Sequence, residues 1–357
     1  MESRIELIRD RLQEGVQARI FPGCSLALID HEQVTILTTG SFTYDTTSPP
    51  VTPATIYDTA SITKIVTTMT LAMQLLDEGV LSLSDTVGNY LPEFANSPDK
   101  KKATIAHLMT YTINYYIPEG AKAALPYTAA SEVLNDVITA PVKETPGSSY
   151  MYTNITAFLL TQIIERATGK NFETLVQDRV FTPLGMATAI LSPTPDQYPM
   201  IPPSELTTER GEVRGFVHDE FTYYMRKGGV SNGAAGLFAS VLDLVPFLQM
   251  TLHGGIYQGK RLLSDDIVSR WTKDYFPQLL PTHTPVGWGD SPNNQFIDMY
   301  VDHKIVVKGG FTGCLMYGDL TQNRGLILLS NRTYPKRPDD PTAFSTFKRD
   351  VVKIIFD

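Results

Sequence analysis

Side chains able to pass a proton to or from a nucleophile stand at three places in this 357-residue chain. Ser61 and Lys64 open the apolar stretch "TASITKIVTTMTLAMQLLDEG", Tyr152-Thr153-Asn154 precedes "ITAFLL", and Lys308-Gly309-Gly310 closes "HKIVVK". On a helix, positions three apart share a face. Ser61 and Lys64 would therefore point the same way at a helix N-terminus, where free N–H groups and partial positive charge gather. A serine oxygen there becomes a nucleophile when a neighbour takes its proton. A lysine can take it only while neutral, a state favoured by desolvation and by a second cation nearby. The apolar helix supplies the first condition, and a distant lysine would have to supply the second.

The Ser-x-x-Lys pattern occurs three times. Ser97–Lys100 falls in the charged turn "SPDKKK", read as a solvated loop, and Ser345–Lys348 falls on a terminal helix where Lys348 is expected to face water. Only Ser61 has apolar surroundings; the plainer reading is that it caps the helix while Lys64 reaches outward. Tyr152-x-Asn154 is the only Tyr-x-Asn in the chain, among 17 tyrosines. Its phenol would share a proton with Lys64 and its amide would hold lysine or substrate, unless Asn154 merely caps the following helix. Of two Lys-Gly-Gly sites, Lys227 follows a poorly patterned, loop-like segment, whereas Lys308 ends a strand whose glycines let a substrate backbone approach the sheet edge.

The elements that must position these groups are legible as periodicities. Residues 3–19 place Ile5, Ile8, Leu12 and Val16 on one helical face. "CSLALID" and "QVTILTTG" flank a polar turn as a hairpin. From about 80 to 215, helical segments such as "ATIAHLMTYT", "TNITAFLLTQIIERATG" and "NFETLVQDRVFTPLGM" alternate with Pro/Gly/Tyr-rich loops. After the glycine-rich turn "GGVSNGAAGLF" come a helix with one proline, the strands "HKIVVK", "GCLMYGD" and "RGLILLSN", and a last helix opened by Pro341. Strands at both ends and helices between them predict an α+β fold. One antiparallel sheet is built from both chain termini and flanked by the terminal helices, with a mainly helical region inserted. Residues 1–60 and 216–357 would form the sheet region and 61–215 the helical region, with the active site in the crevice between them. Loops 111–128 and 274–300 would line it, and Tyr115, Tyr116 and Trp288 would either bind an acyl group or cover apolar surface.

A net charge of −8 argues against general nucleic-acid binding, and 42% hydrophobic residues support a large core. Cys24 and Cys314 are too few for a disulfide framework or a metal ligand set and read as buried thiols. The six histidines stand in no ligand pattern, so neither metal nor cofactor is expected. No stretch is apolar and long enough to span a bilayer. "MESRIELIRDRLQEG" has no apolar signal core, so a cytoplasmic location is expected unless an export signal has been trimmed.

The three motifs, with "YTNITAFLLTQIIERATGKNFETLVQDRVFTPLGM", "GGVSNGAAGLFAS" and "KGGFTG" before "RGLILLSNR", resemble the penicillin-recognising serine hydrolases over nearly the whole chain. These comprise class C β-lactamases, D-Ala-D-Ala carboxypeptidases, D-aminopeptidases and related esterases. The resemblance implies an acyl-enzyme on Ser61, with Lys64 and Tyr152 sharing the base role. It implies that Asn154 positions substrate and Lys64, and that Lys308 stabilises an ionised Tyr152 and attracts an anionic substrate. It also implies an oxyanion hole from the N–H groups of Ser61 and Phe311, within a substrate-binding set that includes Gly310 and Thr312. The substrate would be a small molecule or short peptide bearing an amide or ester. The family's third motif usually carries Thr or Ser where this chain has Gly309, with Thr312 as the nearby substitute; the nucleophile and base are untouched by that departure. Two other readings stand beside this one. Gly229-Val230-Ser231-Asn232-Gly233 matches the α/β-hydrolase elbow, which needs a buried strand before Ser231. The same fold could also serve as a catalytically silent binding protein.

Overall fold

The computed structural model describes residues 2–116, 129–279, 282–289, 296–297, 299–300 and 302–357. Chain order begins with helix α1 (Glu2–Gln17), then the hairpin β1 (Gly23–Asp30) and β2 (Gln33–Gly40). Helix α2 follows, π-wound over Lys64–Met69 and α-helical over Thr70–Asp77. In the helical body, α3 is Asn154–Thr168, ended by Gly169 at φ +66°, the left-handed cap that glycine adopts without a steric penalty. Next come α4 (Glu220–Lys227), α5 (Val241–Leu252), β3 (Ile305–Gly310), β4 (Cys314–Asp319), β5 (Arg324–Ser330) and α6 (Thr342–Phe356).

The five strands form one antiparallel sheet in the order β2-β1-β5-β4-β3, so the N-terminal hairpin and the three C-terminal strands lie side by side, joined where β1 pairs with β5. Leu26 on β1 pairs with Leu328 on β5, which pairs in turn with Leu315 on β4. The period-2 alternation of these strands sorts their side chains. Cys24, Leu26, Val307, Leu315 and Leu328 pack under α1 and α6 with Ile8, Leu12, Phe347 and Val351. Ala27, Val306, Met316 and Ile327 face the other way, into the large core shared with α2, α3 and α5. Lys308 has the parity of Val306, which directs it to the helical-body side. The fold is the expected α+β arrangement of an antiparallel sheet, terminal helices and an inserted helical body.

Two local readings need correction. "FTYYMRKG" is not a loop but α4, N-capped by Asp219, whose Oδ1 accepts from Thr222 N at 2.8 Å. Lys100 is not solvated: it is buried, and its Nζ donates to Ile138 O beneath the Phe94 ring. Both Cys24 and Cys314 are buried free thiols. Burial pushes the Cys314 thiol up to about 12, against hydrogen bonds that act the other way. Among the described residues no helix is long and apolar enough to cross a membrane.

Candidate active site

The segment entering α2 is strained and pinned. Ala60 has φ +48°, a conformation that costs an ordinary L-residue about 1–2 kcal/mol. Asp58 holds it: its buried carboxylate accepts from Ala60 N at 2.9 Å and from His218 N at 2.7 Å. Burial raises the pKa of this carboxyl, although those two N–H groups favour its charged form. Tyr57 and Asp58 also pair as a short antiparallel ladder with Phe238 and Ala239, which seats the glycine-rich turn under the helix start. Gly233 is required there because a Cβ would lie 1.9 Å from Thr68 Oγ1. The threonines of the apolar run do not strand their hydroxyls: Thr67 donates to Thr63 O, Thr68 to Gly233 O and Thr70 to Ile65 O. A threonine-rich helix can therefore be buried on most sides.

Lys64 is fully buried, and its side chain returns toward Ser61. Nζ stands 3.0 Å from Ser61 Oγ, 2.7 Å from Asn154 Oδ1 and 2.6 Å from Ala234 O. The Asn154 amide is itself anchored, donating to Asp219 Oδ2 at 2.7 Å. The capping reading of Asn154 is not what forms: Thr153 is the N-cap of α3, accepting from Ile155 N at 3.3 Å. Lys64 Nζ also lies 5.4 Å from the centre of the Tyr152 ring, and Lys308 Nζ lies 4.6 Å from the same centre. Lys308, fully buried, donates to Gly289 O at 2.7 Å and to Tyr111 Oη at 3.2 Å. The three motifs therefore converge on Tyr152.

Ser61, Tyr152, Gly309, Gly310 and Phe311 line one cavity of about 250 Å³. Gly310 serves a close approach different from the one expected of it: a Cβ there would lie 2.4 Å from Thr59 O, so the bare backbone lets β3 meet the Ser61 turn. Thr312 is turned inward, its hydroxyl donating to Asp58 O at 2.7 Å, which removes it as the substitute for a hydroxyl at position 309. Lys348, expected to face water, is instead buried and forms part of the cavity wall with Arg332 and Ser345. The cations on that wall are thus Arg332 and Lys348, with Lys308 behind Tyr152.

Several of these groups had no local signature. Ala234 and Gly289 contribute backbone carbonyls, Asp219 and Asp58 act through other residues, and Tyr111 is brought in by a backbone at φ +57°. Tyr115 and Trp288 are core residues, whereas Tyr116 is exposed. Residues 117–128, 280–281, 290–295 and 298 of the expected crevice loops lie outside the described residues. Ser231 does not sit on an elbow: the helix α4 precedes it, and its hydroxyl donates to Glu165 Oε1 at 2.8 Å.

The model of the family described as Beta-lactamase matches residues 8–347. The chain belongs to the Beta-lactamase family. Among its relatives, the "Putative D-alanyl-D-alanine carboxypeptidase" of Salmonella enteritidis PT4 is 26% identical over 313 residues, covering 78% of this chain and 70% of the relative. The protein of the same name from Escherichia coli K12 is 27% identical over 313 residues, covering 79% and 70%. Solved structures share the fold of this Beta-lactamase family member. A β-lactamase/D-alanine carboxypeptidase from Pseudomonas syringae has TM-score 0.75 at 19% identity, covering 99% and 98% of the two chains. EstCE1, a hydrolase with promiscuous acyltransferase activity, has TM-score 0.76 at 17% identity, covering 98% of each.

Proposed function

We propose that this Beta-lactamase family protein is a serine hydrolase working through an acyl-enzyme, with Ser61 as nucleophile and Lys64 and Tyr152 as its base. The observation that carries this reading is the surroundings of Lys64 Nζ. A neutral amine has two N–H bonds and one lone pair. With its N–H bonds directed to Asn154 Oδ1 and Ala234 O, the lone pair faces Ser61 Oγ at 3.0 Å. As Oγ attacks the substrate carbonyl, its proton passes to Nζ, and the resulting ammonium has three donors for three acceptors. Tyr152, between Lys64 and Lys308, relays the proton to the leaving oxygen or nitrogen. Water then adds to the Ser61 ester with the same groups as base, and the acid is released. The N–H groups of Ser61 and Phe311 receive the developing oxyanion, each worth about 2.7–4 kcal/mol in the transition state.

The substrate is a small ester or amide. Position 309 carries no hydroxyl and that of Thr312 is engaged with Asp58, so recognition of a substrate carboxylate passes to Arg332 and Lys348 on the cavity wall. The relatives' names cover carboxypeptidase, β-lactamase and acyltransferase activities, which selects the panel for the test. Intact-mass measurement with p-nitrophenyl esters, β-lactams and D-amino-acid amides should reveal an acyl adduct that is absent from Ser61→Ala. An adduct that persists in Ser61→Ala would refute the assignment, and no adduct with any of the three classes would favour a silent binding protein.

A further inference from the structure

The short helix Ile105–Met109 ends at Thr110, and the next residue, Tyr111, takes the left-handed conformation at φ +57°. Thr112 N donates to His107 O at 3.0 Å across it, the wrap-back that closes a helix. That position falls by preference to glycine or asparagine, and a bulky side chain is strained there. Strain of this kind clusters at functional sites, where the surrounding structure holds a side chain that the site uses. Here Met151 N donates to Tyr111 O at 2.8 Å, which ties the strained residue to the segment that carries Tyr152.

The side chain delivered by that backbone is fully buried against Lys308 and Tyr152. Its hydroxyl oxygen accepts from Lys308 Nζ at 3.2 Å, and its ring centre lies 4.9 Å from that of Tyr152. Lys308 Nζ stands 4.8 Å from the Tyr111 ring centre and 4.6 Å from that of Tyr152. Tyr111 is not among the residues lining the Ser61 cavity, so its effect on the chemistry passes through its neighbours. Resting on the reading of Ser61 as nucleophile with Lys64 and Tyr152 as base, we propose that Tyr111 is a positioning residue for Lys308. Its hydroxyl oxygen fixes the ammonium beside the Tyr152 ring, and that charge lowers the proton affinity of Tyr152 and Lys64. An acceptor favours the charged lysine, and a fixed cation favours a phenolate and a neutral amine. The other ionisable groups gathered there, among the described residues, are Tyr150, 6.2 Å from Tyr111 between ring centres, and Asp219 behind Asn154. Arg332 and Lys348 stand on the cavity wall. None of them is altered by removing the Tyr111 hydroxyl.

The test is Tyr111→Phe, which keeps the ring and the Met151 bond and deletes the acceptor. Single-turnover acylation of the full chain by a p-nitrophenyl ester is followed as a function of pH. Moving a unit charge from about 5 Å to about 6 Å, at an effective dielectric constant of about 20, shifts a pKa by about half a unit. The acid limb of the rate profile should therefore move up by about half a pH unit, slowing acylation about three-fold on that limb and little above it. KM and the urea midpoint should stay near wild type. In a Lys308→Met background, adding Tyr111→Phe should change neither rate nor profile, because the phenol acts through the ammonium. Should Tyr111→Phe lower the urea midpoint, that background still decides, since a merely structural phenol would slow acylation with or without the ammonium. A profile that superimposes on that of wild type, a loss equal at every pH, or the same loss in Lys308→Met would overturn the proposal while leaving Ser61 as the nucleophile. Absence of any Ser61 adduct in the wild-type chain would instead overturn the hydrolytic reading, and this role with it.

Discussion

Asn154 offers the sharpest test of the proposed hydrolytic site because its one amide ties Lys64, the proposed base, to a fixed carboxylate. Oδ1 accepts from Lys64 Nζ and Nδ2 donates to Asp219 Oδ2, each at 2.7 Å. Asn154→Ala deletes both bonds. Each involves a charged or chargeable partner, and such bonds contribute about 1.5–3 kcal/mol. The gross loss is therefore about 3–6 kcal/mol, reduced to about 2–3 kcal/mol once water reaches the half-buried Asp219 side. The expected catalytic effect follows from geometry: the Asn154 bond helps to direct Nζ at Ser61 Oγ, and its loss lets Nζ shift toward Ala234 O and off the serine. A displacement of about 1 Å costs on the order of 100-fold in rate. Urea unfolding and single-turnover acylation with a p-nitrophenyl ester measure the two effects separately. Asp219→Ala should lose acylation less steeply, because it acts through Asn154. It should also lose about 1 kcal/mol of stability as the N-cap of α4. The double variant should be scarcely worse in acylation than Asn154→Ala alone. Acylation by Asn154→Ala within three-fold of wild type (~3-fold, against the ~100-fold expected), or additive rate losses in the double variant, would show that the amide does not hold the base.

Other expectations follow from single contacts. Gly310→Ala drives a methyl into Thr59 O and Cys314 Cβ, so β3 must move from the Ser61 turn; melting should show a loss of about 1–3 kcal/mol together with slower acylation. Ser231→Ala, which removes a bond to Glu165 remote from Lys64, should keep wild-type turnover, and loss of turnover at normal stability would revive the elbow reading. His107 is held neutral: its Nδ1 accepts from Thr104 N at 3.0 Å, and burial lowers its pKa below 6.5. Well above 6.5 neither folded nor unfolded state holds a proton there; as pH falls through it the unfolded chain takes one first, so native stability declines. His107→Asn, which keeps an acceptor for Thr104, should flatten the fall in urea midpoint between pH 7 and 5, and an unchanged slope would remove His107 as its cause.

What the sequence alone determined is what depends on neighbours along the chain. Apolar residues marked "HKIVVK" as a strand ending at Lys308, helical spacing put Ser61 and Lys64 one turn apart, and apolar periodicity located both termini in one sheet. Spacing could not tell which lysines would be buried. Lys100 and Lys348 look alike in sequence to solvated residues, and both are enclosed because distant segments close over them. Nor does any residue type announce a backbone carbonyl as a ligand: Ala234 O reaches Lys64 only because a turn 170 positions later is threaded beneath α2, where Gly233 alone fits. The direction of the Thr312 hydroxyl and the convergence on Tyr152 were likewise set by tertiary packing. Hydrogen bonds and ion pairs depend on distances of a few tenths of an ångström between chain segments, and only the folded core fixes those.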